Sequence, residues 1–213
     1  MQELNFKNFR TGVILSLLLG TTLILLSLLM GKIPFFLWLN TDLGIAADYF
    51  FGIYTDAGNS WMWVGILFLL YFLKKQQLIP LAIASFIFVT IFTQVCKYLI
   101  VPDEARPWKA IADHTLIHHV SWVETYLISS FPSGHSATAF TFYLIFCLII
   151  PKKWWIVVGF IAAALVGYAR IYLAEHFPLD VGGGILTAVL SVWLALPVQR
   201  WWENRKIRKS HAG

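Results

Sequence analysis

Among the side chains between residues 97 and 180 of this 213-residue chain, six could together bind a phosphate and transfer protons. Arginine and lysine neutralise the non-bridging oxygens of a phosphate, and arginine can do so through two parallel hydrogen bonds. Histidine can attack phosphorus as a nucleophile or protonate a departing oxygen as a general acid. Together these residue types indicate a site that binds and cleaves a phosphate group. The six are Lys97, Arg106, His135, Arg170, His176 and Asp180.

The segment Pro132-Ser133-Gly134-His135 precedes an apolar stretch and is typical of the start of a helix. Serine is a favoured residue at such a start, where free backbone N–H groups and the helix dipole attract an anion. Glycine lets the backbone come close to a ligand because it has no side chain. We therefore expect Ser133 and Gly134 to bind the same phosphate as the three cations.

The spacing around His176 predicts which histidine is the nucleophile. Pro178 suits the first turn of a helix, so His176 lies at its junction and Asp180 follows within one turn. A carboxylate in that position can orient an imidazole and stabilise its positive charge. We therefore predict that His176 attacks phosphorus and that His135 acts as the acid.

The composition shows what kind of protein must hold these residues. Of the residues, 59% are hydrophobic and 13% are charged, and the mean hydropathy is +0.72. A soluble domain usually has about a quarter of its residues charged. This composition excludes a secreted disulfide scaffold, a disordered chain and an ordinary cytosolic enzyme. It favours an all-α polytopic membrane protein.

Apolar segments of suitable length predict six transmembrane helices in one membrane-embedded domain, residues 1–213, with the motifs in about 78–198. No repeat or low-complexity segment interrupts them. The first lacks a small-residue cleavage site, which favours a permanent span over a signal peptide. The six segments are residues 11–30, a second centred on 61–73 that needs flanking residues to cross, 78–101, about 136–150, 154–173 and 181–198.

The distribution of charge predicts the orientation in the membrane. With six spans, one side holds both termini and eleven of the sixteen basic residues, with only Glu3 and Glu203 as acids. The positive-inside rule makes that side cytoplasmic. The net charge of +5 is then a topology signal and does not indicate nucleic-acid binding. The short termini and loops favour a bacterial inner membrane with the catalytic groups on the periplasmic side.

Three segments of the chain resemble the signature motifs of the type 2 phosphatidic acid phosphatase superfamily. They are Lys97 with Arg106-Pro107, then Pro132-Ser133-Gly134-His135, then Arg170, His176 and Asp180 at the family's spacing. The resemblance extends from the third predicted span to the sixth. It implies a six-span, metal-independent phosphatase that works through a phosphohistidine. It also implies His176 as nucleophile, Asp180 as its partner and His135 as acid, with the phosphate bound by Lys97, Arg106, Ser133, Gly134 and Arg170.

Two departures from the family pattern affect what the resemblance implies. Eight residues separate Lys97 from Arg106, whereas the family usually has six, so a longer loop must bring Arg106 to the site. The third motif begins Ala169-Arg170 where the family usually has Ser-Arg. The absence of this hydroxyl affects which substrate is expected more than which reaction is expected.

Two other functions are consistent with basic residues inside a membrane. A transporter or channel for a phosphorylated anion is one, but its site usually lies near the midplane between repeated halves. The predicted charges here cluster at one rim. A catalytically silent scaffold is the other, and the presence of both histidines and Asp180 argues against it.

His114, His118 and His119 invite a metal-binding interpretation, since His114 and His118 are spaced for one face of a helix. We favour an amphipathic loop helix with interfacial histidines, because such spacing specifies a metal only loosely. We therefore predict no metal and no other cofactor.

The predicted partners are the lipid substrate and the surrounding membrane lipids, with no nucleic acid and no obligate protein partner. Phosphatidic acid, phosphatidylglycerol phosphate, an isoprenyl pyrophosphate and a phosphorylated glycolipid all suit an anion site at the outer leaflet. The sequence does not choose among these lipids, between a monophosphate and a pyrophosphate, or among oligomeric states.

Overall fold

A computed structural model describes residues 4–211, and every regular element in that range is helical. The predicted all-α class is therefore confirmed. Glu3 and the side chain of Lys209, both used in the charge argument, lie outside the described part. The helices are α1 (Phe6–Met30), α2 (Lys32–Leu39), α3 (Ile45–Tyr54), α4 (Met62–Phe72), α5 (Ile79–Val95), α6 (Pro107–Ala110), α7 (Gly134–Ile149), α8 (Trp154–Tyr172) and α9 (Pro178–His211).

Four stretches of helix are long and apolar enough to cross a membrane. They are Phe6–Met30, Gln76–Ile100, Trp154–Tyr172 and Pro178–Arg208. The other two predicted spans are shorter helices, α4 with 11 residues and α7 with 16. At 1.5 Å per residue they measure about 16 and 24 Å, less than a hydrocarbon core of about 30 Å. The flanking residues do not lengthen α4 at its start, because a turn precedes it, in which the Met62 N–H bonds the Asn59 carbonyl at 3.0 Å.

Helix α7 forms the centre of the bundle. Of its 16 residues 13 are buried, so it is covered by other parts of the chain on nearly all sides. Helices α1, α8 and α9 pack around it, and α5 packs on α9. The approach of α9 to α7 is close, because a Cβ on Gly184 would lie 2.4 Å from the Ser133 carbonyl oxygen. Glycine at this position therefore sets how near α9 comes to the start of α7.

Backbone and side-chain bonds distinguish the two ends of the bundle. At one, the Ser133 N–H bonds the Asp180 carbonyl at 2.9 Å and the His176 N–H bonds the Arg170 carbonyl at 3.0 Å. At the other, the Gln199 amide bonds the start of α5. We call these the His176 end and the Gln199 end. The motifs that hold the predicted catalytic residues therefore lie at one end of the helices.

The short helices α2 and α3 and the loop 101–133 cover the His176 end. Buried Asn40 connects the two parts, since its amide donates to the Ile171 and Tyr172 carbonyls at 3.0 and 2.8 Å. Its side-chain oxygen accepts the His118 N–H at 2.8 Å. One side chain thus satisfies carbonyls at the end of α8 and fastens the loop over the helix ends.

Candidate active site

His176 and Asp180 form a buried pair where α9 begins. The distance from His176 Nδ1 to Asp180 Oδ2 is 3.5 Å, and both side chains are almost completely inaccessible. Asp180 Oδ2 also accepts the Phe177 N–H at 2.9 Å and the Ser130 hydroxyl at 2.5 Å. The bond to Phe177 satisfies a free N–H at the start of α9, as in a capping box. The carboxylate is therefore held in place and faces the imidazole.

The surroundings of His176 favour a neutral imidazole. Burial lowers the pKa of His176 well below its ordinary value, and the positive charges of Arg106, Arg170 and Lys97 lower it further. A neutral ring keeps a lone pair on one nitrogen. Because Nδ1 faces Asp180, Nε2 is the nitrogen left to meet a substrate.

Arg106 and Arg170 converge on one buried carboxylate, Glu175. Glu175 Oε2 lies 2.5 Å from Arg106 Nη1 and 3.2 Å from Arg170 Nη2, and Glu175 is 1% exposed. Arg170 also donates to the Thr55 hydroxyl at 2.8 Å, and Arg106 Nε donates to the Ile128 carbonyl at 2.9 Å. The longer loop after Lys97 thus brings Arg106 beside Arg170.

Glu175 is a residue of this site that sequence reasoning missed. Burial raises the pKa of its carboxyl, and the two guanidinium groups oppose that rise. In the predicted topology Glu175 is merely one of the nine acids that do not lie on the cytoplasmic side. The available signal was its position, since it directly precedes His176 inside a motif that already held a cation.

Ser133 and Gly134 open α7 as the sequence predicts. Ser133 is the capping residue, and its side chain accepts the Ser136 N–H at 3.4 Å and the Ser136 hydroxyl at 3.0 Å. A Cβ on Gly134 would meet nothing within 4 Å. The start of α7 therefore borders open space, where its free N–H groups can reach an anion.

His135 is the second residue of α7 and lies beneath the 3₁₀ turn Thr55–Gly58. A Cβ on Gly58 would lie 2.7 Å from the His135 carbonyl oxygen and 2.9 Å from His135 Cβ. The turn can therefore pack on His135 only because residue 58 is glycine. The same turn carries Thr55, the hydrogen-bond partner of Arg170.

Lys97 lies in the π-helical turn Cys96–Ile100 that follows α5. Such turns are frequent at functional sites. With His135 and Gly134, Lys97 lines a cavity of about 280 Å³ between α4, α5 and α7. The cavity also has Thr93, Gln94 and Thr138 in its wall, so it offers polar groups beside the proposed acid.

The three loop histidines do not converge on one another. His114 Nε2 lies 3.0 Å from the Trp108 carbonyl, and His119 Nε2 lies 2.9 Å from Thr125 Oγ1. The predicted loop helix spanning His114 and His118 is wrong, because the 3₁₀ helix His114–Leu116 ends before His118. Three residues of 3₁₀ helix are too few to place side chains four apart on one face.

His118 instead lies between two carboxylates. Its Nε2 is 3.0 Å from Asp48 Oδ1 and its Nδ1 is 3.8 Å from Asp42 Oδ1. The Tyr172 hydroxyl donates to the same Asp48 oxygen at 2.6 Å. Asp48 thus connects α3, the loop and α8 by hydrogen bonds, and Asp42 faces the other ring nitrogen.

Comparison with known proteins places these residues in a family. The PAP2 superfamily model matches residues 80–204, which include all three motifs. An undecaprenyl-diphosphatase of Sulfolobus acidocaldarius is 28% identical, over 71% of this chain and 70% of the relative. A lipid A 1-phosphatase of Rhizobium etli is 31% identical over 53% of this chain, and the match spans about half of the relative, 48%.

A solved structure shares the helical arrangement. The crystal structure of Aquifex aeolicus LpxE superposes with a TM-score of 0.66 at 27% identity, covering 76% of this chain and 92% of that one. The family model covers more than half of the chain, and the relatives are lipid phosphatases and diphosphatases. The motif resemblance is confirmed, and this chain belongs to the PAP2 superfamily.

Proposed function

We propose that this protein removes a phosphate group from a lipid phosphomonoester or diphosphate through a covalent phosphohistidine on His176. The observation that carries the proposal is the buried His176–Asp180 pair, 3.5 Å apart, surrounded by three cations that bear on its pKa. A neutral imidazole backed by a carboxylate is suited to nucleophilic attack, and cations around it are suited to hold the phosphate.

In the first step, the lone pair on His176 Nε2 attacks phosphorus. The bond from phosphorus to the departing oxygen breaks, and that oxygen takes a proton from His135. Asp180 stabilises the positive charge that develops on the His176 ring. The products of this step are the dephosphorylated lipid and a phosphohistidine.

In the second step, water attacks the phosphohistidine. His135, now neutral, takes a proton from the water, and the electron pair of the phosphorus–nitrogen bond returns to His176. Inorganic phosphate leaves and both histidines regain their starting states. One histidine thus serves as acid and then as base, as microscopic reversibility requires.

The phosphate-binding groups in this mechanism are Lys97, Arg106 and Arg170, with Ser133 and Gly134 at the start of α7. They supply positive charge where the non-bridging oxygens gain negative charge in the transition state. Glu175 holds the two guanidinium groups at a fixed separation through contacts of 2.5 and 3.2 Å. The protein itself provides the charge stabilisation, so the proposed reaction uses no metal.

A lipid substrate follows from the position of these groups at the ends of apolar helices, where a headgroup can reach the site with its tails in the bilayer. The relatives include enzymes named for undecaprenyl diphosphate and for lipid A. We propose the same substrate class here, which comprises isoprenyl pyrophosphate, glycolipid phosphate, phosphatidic acid and phosphatidylglycerol phosphate.

The proposed topology has six membrane crossings, both termini in the cytoplasm and the site on the periplasmic side of a bacterial inner membrane. Helices α4 and α7 would cross with the help of flanking residues. A cysteine at exposed Asp113, with Cys96 and Cys147 replaced, should react with an impermeant thiol reagent from outside, and one at exposed Lys152 should not. The reverse pattern would refute this topology.

The proposed reaction is tested by phosphate release from purified protein in detergent with EDTA present. The lipid phosphates named above form the panel, and His176→Ala is the control for contaminating phosphatases. We expect release from at least one lipid by the wild type and none by the variant. Activity lost to EDTA and restored by a divalent ion would contradict the metal-independent mechanism.

A further inference from the structure

A groove between the start of α5 and the last turns of α9 lies at the Gln199 end. Its outer part is a cavity of about 560 Å³ lined by Gln76, Gln77, Trp202, Arg205 and Lys206. Its inner part is an apolar cavity of about 450 Å³ along α5, with Ile79, Pro80, Ile83, Ile87 and Val198 in its wall. Gln76 and Trp202 border both, so the two parts are continuous.

The groove is held open by a buried amide. Gln199 Oε1 accepts the Leu81 N–H at 3.0 Å, and Gln199 Nε2 donates to the Gln77 carbonyl at 2.8 Å. The same amide donates to Glu203 Oε1 at 2.8 Å. These bonds fix the spacing of α5 and α9 beside the groove, so it does not depend on a ligand to form.

The outer part of the groove is positively charged. Arg205 and Lys206 are exposed in its wall, and Lys74 and Lys75 directly precede Gln76 in the chain. The start of α5 adds the positive end of a helix dipole. The nearby acid Glu203 is engaged by Gln199. This arrangement complements a phosphate group.

The two parts together match an amphiphile. The charged part lies at the end of the helices and the apolar part runs toward the middle of the bundle, as the headgroup and chain of a lipid do. Trp202 lies where the two parts meet, a position that tryptophan favours at a membrane boundary. Basic residues directly beyond a membrane helix attract anionic lipids.

We propose that this groove is a binding site for an anionic phospholipid, with its phosphate against Arg205 and Lys206 and one acyl chain along α5. This site is separate from the active site. Lys97 follows Gln76 by 21 positions, which is about 30 Å of helix, so the two sites lie at opposite ends of α5. The proposal requires a membrane-embedded chain and does not depend on the phosphatase reaction.

The test titrates purified full-length protein in neutral detergent with phosphatidylglycerol or phosphatidylcholine and counts bound lipids by native mass spectrometry. Phosphatidylglycerol carries a phosphodiester, so hydrolysis of a monoester does not interfere. We expect it to bind at least tenfold more tightly than phosphatidylcholine. Replacing both Arg205 and Lys206 by alanine should weaken the binding of phosphatidylglycerol about tenfold or more. The binding of phosphatidylcholine should weaken distinctly less, because its choline group offsets the charge of its phosphate.

In the matched control variant, alanine replaces Lys152 and Lys153, an exposed basic pair outside the groove. This variant should still bind phosphatidylglycerol more tightly than phosphatidylcholine. His176→Ala should keep this preference as well, because the active site is not involved. Equal loss in the two double variants would overturn the proposal in favour of general surface charge. Equal affinity of the wild type for both lipids would also overturn it.

A second pair of variants tests the apolar half. Ile83→Trp fills the groove and should weaken the binding of both lipids, whereas Ile161→Trp on α8 should leave it unchanged. The two isoleucines are 44% and 51% exposed, so the substitutions are comparable in their effect on folding. Unchanged lipid binding by the Ile83→Trp variant would refute the proposed position of the acyl chain along α5. The thermal midpoint in lipid-free detergent shows whether each variant is folded.

Discussion

The two ends of the bundle both bury polar side chains between helices, but they do so in opposite ways. At the Gln199 end, a neutral amide accepts one hydrogen bond and donates two, at 2.8 to 3.0 Å. At the His176 end, the buried groups are ionisable and three of their atoms have no hydrogen-bond partner among the described residues. Those atoms are Arg170 Nε, His176 Nδ1 and Asp180 Oδ1.

This difference separates residues that hold the fold from residues that we propose to perform the chemistry. A buried polar group that is fully bonded costs little, whereas an unpaired or charged one costs several kcal/mol in typical proteins. The chain therefore accepts a less stable arrangement at the His176 end. Of the three atoms, Arg170 Nε is a donor that a phosphate oxygen can use, whereas His176 Nδ1 lies 3.5 Å from Asp180 and can bond it when the ring gains positive charge.

His176→Ala should give the largest loss of turnover. Without the nucleophile, hydrolysis of every phosphate ester should stop, whatever its leaving group, because no covalent intermediate forms. Phosphate release measures the effect. The fold should survive, since the substitution removes a buried ring whose Nδ1 has no hydrogen-bond partner among the described residues. Residual turnover of the lipid comparable to the wild type would show that His176 is not the nucleophile.

His135→Ala should lose an amount that depends on the leaving group. General acid catalysis contributes about 10²–10⁴-fold, so we expect a loss of that size on a lipid monophosphate. On p-nitrophenyl phosphate, if the wild type accepts it, the loss should be distinctly smaller because p-nitrophenolate leaves without a proton. Equal losses on both substrates would mean that His135 only holds the phosphate.

Glu175→Gln should lower kcat about tenfold and leave KM unchanged or lower. The amide keeps the size of the side chain but no longer neutralises the two arginines it contacts at 2.5 and 3.2 Å. The site becomes more positive and binds phosphate at least as well, while the guanidinium groups lose their fixed orientation. Steady-state kinetics separate the two constants. A raised KM with unchanged kcat would contradict this positioning role.

Gln199→Leu should lower the stability of the fold and leave turnover within about twofold of the wild type. The substitution removes the hydrogen bonds that Gln199 makes to the Leu81 N–H and the Gln77 carbonyl, and such a loss costs about 1–3 kcal/mol. Thermal unfolding in detergent and phosphate release should be measured on the same sample. A large loss of activity with unchanged stability would remove the distinction between the two ends.

Lowering the pH should destabilise the wild type more than His176→Ala. The pKa of His176 is lowered in the folded protein, whereas an unfolded histidine has a pKa of about 6.5. Below that pH the unfolded chain binds a proton that the folded chain resists, so stability falls as the pH falls. Between pH 7 and 5 the thermal midpoint should therefore fall more steeply in the wild type than in His176→Ala. Equal falls in the two proteins would refute the lowered pKa of His176.

Much of this molecule follows from residue types and hydropathy. Charged and nucleophilic side chains are costly inside apolar segments, so Lys97, His135 and Arg170 are conspicuous there. The residues that favour the start of a helix act locally, so Ser133-Gly134 and Pro178 can be recognised in the sequence. In the structure α7 begins at Gly134 and α9 at Pro178. Four long apolar helices follow from composition alone, because a lipid-facing helix must be apolar over its whole length.

The tertiary structure decided what depends on partners distant in sequence. Arg106 lies against Glu175 because the loop 101–133 folds back over the helix ends, and no local pattern pairs two residues that are 69 positions apart. Gln199 reads as an ordinary polar residue until Leu81 and Gln77, more than a hundred positions away, prove to be its partners. Local pattern reflects the preference of a residue for solvent or helix, whereas the pairing of a buried polar group is set by whichever backbone the fold brings within hydrogen-bond distance.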